Sequence, residues 1–276
     1  MDAGKQLVEL EKRLWNAANA LRGPVDPADF KTYVFPMLFS KWISDTWEYE
    51  HAEAVDEYGD DLTDEVEADY RQFDLPADAT WKTVTNKTKN IGHEIALAFR
   101  KIEQANPVAL GGIFGDAAWS NKDRLPESAL RGLITAFNAT KLDPSTVSHD
   151  MLGQGYEYLL KNFADVSGKK GRGVLYAARD HPPARGHPQP EVRGERVRPA
   201  CGSGGMLIET IYWVHANGGE TRNLRLYGQE VNLTTASIAR MNLFLRDIQD
   251  SEIKRGDTLR EQKLRNPTAR CGSSTS

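Results

Sequence analysis

Cysteine is scarce in this chain, with only Cys201 and Cys271 among 276 residues. Two thiols cannot staple a fold of this size, and their separation matches no metal-ligand spacing. A disulfide framework and a cysteine-built metal site are therefore both excluded, and a reducing cytoplasm is the expected location. Long apolar runs are missing as well. No stretch approaches the roughly 18 residues that a membrane span requires, so no membrane association is expected. The opening residues MDAGKQLVELEKRLWNAANALRG are charged and amphipathic, unlike a signal peptide. Nor is positive charge in excess: 35 Lys and Arg stand against 39 Asp and Glu, a net charge of −4. A protein that grips DNA unaided usually carries a basic footprint. The balance argues against tight autonomous DNA binding, while a local basic face stays compatible with it. His93, His149 and His215 are scattered and without partners in sequence, so no catalytic residue and no metal ligand are assigned.

What is present suffices for a core, since 39% of residues are hydrophobic and 27% charged. Leu7, Leu10, Leu14, Ala17, Ala18 and Leu21 recur at helical spacing, and Gly23-Pro24 stops the pattern. Asp26-Pro27 predicts an N-cap followed by proline in the first turn. Phe30, Val34, Met37, Leu38 and Ile43 continue one face, on which Pro36 is expected to kink or restart the helix. From Glu48 to Asp69 the chain holds eleven acidic residues and no Lys or Arg. The plain reading of that run is a solvated helix or loop; the functional reading is a surface for a basic partner. Further helices are predicted at Ile91–Ile102, Leu130–Phe137 and Tyr156–Phe163. Trp15, Trp42 and Trp47 lie near helical apolar faces and are expected in a core or interface. Strand-like alternation is scarce before residue 140. The expected organisation is a helical domain at 1–140 and a second domain at 141–276.

Residues 172–198 hold six Arg, four Pro, three Gly and two His, and keep neither helical nor strand periodicity. After Pro199 order returns. An apolar helix at 206–216, a short strand at Leu224–Gly228, a helix at 233–245 and a strand at Ser251–Arg255 alternate in the manner of a parallel α/β sheet. The run Pro199-Ala200-Cys201-Gly202-Ser203-Gly204-Gly205-Met206 sets a glycine-rich turn directly before an apolar helix. Glycine permits φ > 0 and close backbone approach to a ligand, and the N–H groups opening the helix face whatever binds there. Glu230 and Asp257 follow at successive strand ends. An acid in the position of Glu230 suits ribose hydroxyls, and Asp257 could accept from an adenine amino group. The competing structural reading is that Glu230 caps the next helix and Asp257 shapes a turn. Cys-Gly-Ser-Gly-Gly lacks the GxGxxG spacing of a dinucleotide fold, and no Gly-Lys-Ser/Thr follows, which excludes a P-loop.

Several segments together resemble one family. Leu14-Trp15-Asn16-Ala17-Ala18, Leu21-Arg22-Gly23 and Tyr33 through Asp45 resemble its helical domain. Asp150-Met151-Leu152-Gly153 with Tyr156-Glu157-Tyr158-Leu159-Leu160 resembles the helix entering its catalytic domain. Pro199 to Gly205, Gly228-Gln229-Glu230 and Gly256-Asp257-Thr258-Leu259 resemble its three cofactor motifs. The chain is thus similar, over nearly its whole length, to the modification (M) subunit of type I restriction-modification systems. The resemblance implies an α/β fold, with an N-terminal helical domain followed by an incomplete Rossmann-like methyltransferase domain that uses S-adenosylmethionine. It implies site-specific N6-adenine methylation of DNA, with cofactor contacts at Gly202, Ser203, Gly204, Gly205, Glu230 and Asp257. It also implies partners: a specificity subunit that reads the DNA, a second M subunit, a restriction subunit and, through the complex, DNA itself.

Three departures stand against that pattern. The family's Phe-Tyr-Thr-Pro is replaced by Val174-Leu175-Tyr176-Ala177-Ala178-Arg179, the acid before Pro-Ala-Cys is Arg198, and the catalytic Asn-Pro-Pro-Phe/Tyr is absent. Asn266-Pro267-Thr268 lacks the second proline and the aromatic residue, and it follows a charged stretch rather than an apolar strand. Codons for Val174–Arg179 exist that, read one base later, spell Phe-Tyr-Thr-Pro-Arg, and the same shift restores Asp-Pro at Arg198-Pro199. The expectation is a segment at 172–198 read out of frame and disordered, with a second slip near 268 that truncates the chain. It carries three consequences: weak cofactor binding, negligible methyl transfer by this chain alone, and a loose second half lacking its first strand. The alternative function is a non-catalytic remnant that binds partner subunits through its helical domain.

Overall fold

A computed structural model describes residues 3–166, 194–219, 224–248 and 250–264, which fall into two compact units, Met1–Lys170 and Gly171–Ser276. The first unit is helical: α1 (Ala3–Asn19), α2 (Phe30–Tyr58), α3 (Asp64–Tyr70), α4 (Trp81–Thr85), α5 (Ile91–Ala105), α6 (Pro107–Leu110), α7 (Glu127–Asn138) and α8 (His149–Val166). α1, α5 and α7 bury one face each, through Leu10 and Leu14, Ile95 and Phe99, and Leu130 and Ile134, as their apolar spacing predicts. Asp26 caps a short 3-10 turn at Pro27–Asp29 by accepting the Ala28 N–H at 2.8 Å. Trp42 is 1% exposed and belongs to the core. The acidic run forms the distal half of α2, a 3-10 turn and α3, where most of its carboxylates are exposed.

α2 does not restart at Pro36. It runs through Pro36 as one element, with every residue from Tyr33 to Thr46 buried. Proline inside a helix costs about 3 kcal/mol by removing one N–H bond and crowding the preceding turn. Here contacts on all sides of the helix offset that loss, because a helix buried around its whole circumference is held by packing rather than by propensity. Its buried polar residues serve neighbouring backbone. Ser44 Oγ accepts the Trp81 N–H at 2.9 Å, and Asp45 Oδ2 accepts the Leu142 N–H at 2.8 Å while pairing with Lys41.

α8, which follows residue 140, packs within the first compact unit. Phe163 of α8 packs against Trp15, Phe30 and Phe35, and Tyr156 lies 4.2 Å from Phe35 between ring centroids. Aromatic spacing along α8 shows that the helix has a buried face, but not which domain supplies the partner surface.

Glu50 follows the buried part of α2. Burial pushes its carboxyl up to about 6, against the Gln72 N–H that it accepts at 3.2 Å and the Arg71 guanidinium, both of which pull the other way. The folded value lies above the usual 4.5, so the folded state favours the protonated form. That contribution is complete below about 4.5 and is lost as pH rises through about 6. Glu50→Gln keeps an acceptor for Gln72 and removes the titration. We expect the variant to gain stability over the parent chain steadily between pH 4.5 and pH 7, measured by urea unfolding of the helical unit followed by tryptophan fluorescence.

The second unit holds β1 (Gly194–Arg198), α9 (Gly205–Ala216), β2 (Leu224–Glu230), α10 (Leu233–Phe244) and β3 (Ser251–Arg255). The strands form a parallel sheet in the order β1-β2-β3, with Gly194 opposite Leu224 and Leu226 opposite Ser251. Cys201, Leu207, Ile208, Val214, Leu224, Leu226 and Leu243 build its core. β1 corrects the expectation that no strand survives before Pro199. A ladder is made by backbone groups, so Gly-Glu-Arg-Val-Arg can pair although it lacks the apolar run usual for a buried parallel strand. The rest of the proposed out-of-frame segment, including Val174–Arg179, lies outside the described residues, as do Asn266-Pro267-Thr268 and Ala269–Ser276.

Candidate functional site

The glycine turn, Glu230 and Asp257 all lie at the carboxyl ends of neighbouring parallel strands, where open α/β sheets bind ligands. The chain leaves β1 at Arg198, turns through Cys201–Gly204 and enters α9 at Gly205. Two residues of that turn occupy the left-handed region, Gly202 at φ 56° and Gly204 at φ 86°, which a side chain would strain. The turn is closed by the Gly204 N–H donating to Cys201 O at 3.0 Å, and tied to β2 by the Cys201 N–H donating to Gln229 O at 3.0 Å. A side chain at Gly202 or Gly205 would project into open space, whereas a Cβ at Gly228 would meet Cys201 Sγ at 2.8 Å and Ile253 Cδ1 at 2.6 Å. Gly228 is therefore what lets the turn lie directly on β2. The Cys201 thiol beneath it is pushed up to about 12, first by burial and then by the Glu230 carboxylate, and stays protonated at neutral pH.

Glu230 ends β2 facing the turn. Its Oε2 accepts the Gly202 N–H at 3.2 Å and its Oε1 the Asn232 N–H at 2.9 Å. The capping of α10 falls to Asn232, which accepts the Thr235 N–H at 2.9 Å. The structural alternative for Glu230, a helix cap, is thereby set aside. A carboxylate offers about four acceptor positions, so both oxygens keep capacity for a ligand. Asp257 does shape a turn: its Oδ1 accepts the Leu259 N–H at 3.0 Å, and its Oδ2 lies 3.4 Å from Arg260 Nε. Its segment is joined to the glycine turn, since the Thr258 hydroxyl donates to Pro199 O. Two apolar side chains stand exposed on the same rim, Val231 at 61% and Leu259 at 98%.

Sequence reasoning did not find two supporting residues. Asn242 of α10, 1% exposed, donates from Nδ2 to Ser203 O at 3.2 Å and holds the glycine turn from behind. Gln229, also 1% exposed, bonds the segment after Asp257. Asn242 stands between Met241 and Leu243, and that misplaced polarity was the available signal; Gln229, between Gly228 and Glu230, gave none of its own.

A glycine turn entering a helix and two acids on successive parallel strand ends place the second unit in the α/β class, with these residues gathered at the carboxyl edge of its sheet. Comparison with known proteins makes this particular. Residues 147–270 match the N-6 DNA Methylase family and residues 10–137 the HsdM N-terminal domain. The chain belongs to the methyltransferase subunits of type I restriction-modification systems. It is 26% identical, over 96% of its length, to the type I restriction enzyme MpnII methylase subunit of Mycoplasma pneumoniae, and covers 55% of that protein. It is 32% identical, over 67% of its length, to the MjaVII methylase subunit of Methanocaldococcus jannaschii, and covers 32% of that protein. Its fold matches the crystal structure of the type I methyltransferase subunit from Streptococcus thermophilus with a TM-score of 0.72 at 23% identity, covering 96% of this chain and 61% of that one. The chain thus spans about half the length, or less, of these curated relatives. Among the described residues, no helix is long and apolar enough to cross a membrane.

Proposed function

We propose that this chain carries the S-adenosylmethionine-binding half of a site-specific N6-adenine DNA methyltransferase. It would act as the M subunit of a type I complex with a specificity subunit, a second M subunit and a restriction subunit. The observation that carries the reading is the Glu230 carboxylate, which accepts the Gly202 N–H of the glycine turn with one oxygen and the Asn232 N–H at the start of α10 with the other. The residues present fit an adenosine: Glu230 has acceptor capacity left for ribose hydroxyls, Asp257 can accept from the adenine amine, and Val231 and Leu259 offer apolar walls to a planar base. The open space at Gly202 and Gly205 leaves the turn approachable. S-adenosylmethionine would supply there an electrophilic methyl group. Arg198, at the place of the family's acid, opposes the ammonium end. The net charge of −4 suits a subunit that reaches DNA through its complex.

Methyl transfer needs more than this pocket. The target base must leave the DNA stack, and its amine must be held by polar acceptors and a stacking ring, work that is largely positioning and electrostatics. The Asn-Pro-Pro-Phe/Tyr motif that does this in the family is absent from the sequence. We propose that these 276 residues alone bind cofactor weakly and transfer no methyl group.

Glu230→Ala tests the reading. It removes a charged acceptor of Gly202 and of the ribose, a loss of about 1.5–3 kcal/mol, or roughly tenfold to a hundredfold in affinity. Ligand-observed NMR with S-adenosylmethionine should show millimolar-range binding by the parent chain and none by the variant, with circular dichroism unchanged. Equal binding by both would remove Glu230 from the site.

A further inference from the structure

We infer that Gln229 is a positioning residue for base recognition, acting through the segment that carries Asp257. The inference rests on the cofactor reading above and deepens it. Gln229 lies in β2 beside Glu230 and is 1% exposed. Its side chain makes two bonds to one short piece of backbone: Nε2 donates to Glu261 O at 2.8 Å, and Oε1 accepts the Lys263 N–H at 3.0 Å. A carboxamide used this way copies one rung of a β-ladder, fastening residues 261–263 to a strand that they do not otherwise pair with. The fastening starts where Asp257 ends its own turn, because the Glu261 N–H donates to Asp257 O at 2.8 Å. At its other end the segment is fixed by the Gly256 N–H donating to Glu230 O at 3.0 Å. The fit at that point is close, as a Cβ on Gly256 would stand 3.1 Å from Gln229 Nε2. Asp257 itself is two-fifths exposed and sits on a turn with little apolar burial. Its carboxylate is aimed by this backbone frame, and Gln229 is the buried side chain that closes the frame.

The role differs from general support of the fold. Glu261 and Lys263 are exposed, so water can replace both bonds when the carboxamide is lost, and the segment can come away while the sheet remains. Gln229→Met keeps the side-chain volume and removes both bonds. S-adenosylhomocysteine and its deaminated counterpart S-inosylhomocysteine, which lacks the adenine amine, are titrated into the full chain and its variants. The parent chain should prefer the adenosyl compound by about tenfold, the worth of one charge-assisted hydrogen bond. Gln229→Met should lose that preference as completely as Asp257→Ala does, and the double variant should be no worse than Asp257→Ala. Asn242→Ala, which acts on the glycine turn, should weaken both ligands and leave the preference. A Gln229→Met chain that keeps the preference overturns the inference alone. Loss of preference in Asn242→Ala also overturns it, since the effect would then be general loosening. A parent chain that binds neither compound, or binds both equally, overturns the assignment of Asp257 and this inference with it.

Discussion

Asp45→Ala is expected to destabilise the helical unit by about 3–5 kcal/mol, the cost of leaving one member of a buried ion pair without its partner. Lys41 and Asp45 are one helical turn apart on α2, and each side chain is 7% exposed. The carboxylate has a second task, since its Oδ2 accepts the Leu142 N–H at 2.8 Å. Removing it strands an ammonium group and a backbone donor together, and both lie away from water. The Trp81 ring, 5.9 Å from Lys41 Nζ, gives the ammonium only a weak substitute. Replacing both partners, Lys41→Met with Asp45→Leu, should recover much of the loss, because the uncompensated charge disappears, less the cost of fitting a Leu larger than Asp. The Leu142 N–H remains unsatisfied, so recovery should stop short of the parent chain. Urea unfolding of the three chains, followed by tryptophan fluorescence, measures both effects. A single variant within about 1 kcal/mol of the parent would show the pair to be well hydrated.

Arg198→Asp is expected to raise the affinity for S-adenosylmethionine by about a hundredfold, since it removes like-charge repulsion and adds a charge-assisted contact of about 1.5–3 kcal/mol. Arg198 closes β1 opposite Gly228, and Pro199 and Ala200 join it to the turn that leads to α9. β1 is held by its backbone ladder, so the exchange leaves the pairing intact. The resemblance assigns this place to the acid that meets the methionine ammonium. Calorimetry on the parent chain and the variant reads the change directly, and unchanged affinity would take the position out of the pocket. The variant should still fail to methylate an adenine-containing oligonucleotide, because better cofactor binding supplies no contact to the target amine.

α1, α5, α7 and α8 were legible because each buries one face, and a repeating apolar stripe such as Leu7, Leu10 and Leu14 requires no knowledge of the partner. α2 shows where that logic ends. A restart at Pro36 rests on a local penalty, and the continuity of the helix belonged to contacts from chain segments far away in sequence. β1 failed for a related reason. Strand prediction reads side-chain patterning, while Gly194–Arg198 is held by the backbone groups of Leu224–Gly228. The placement of Glu230 and Asp257 at strand ends could be read from their distance to the glycine turn, since parallel strands joined by helices return to the same edge. Gln229 and Asn242 could not, because nothing local tells a buried carboxamide which backbone it will meet.

By itself the sequence determined the order of the parts: a helical half, then a turn whose glycines permit close approach, then two acids at the ends of strands. Those are consequences of periodicity and of backbone freedom, which act over a few residues. Only the tertiary structure decided that Glu230 meets the Gly202 N–H, that Thr258 reaches back to Pro199, and that α8 packs in the helical unit. Such meetings depend on which surfaces exclude water together, and that is settled by the whole packed chain.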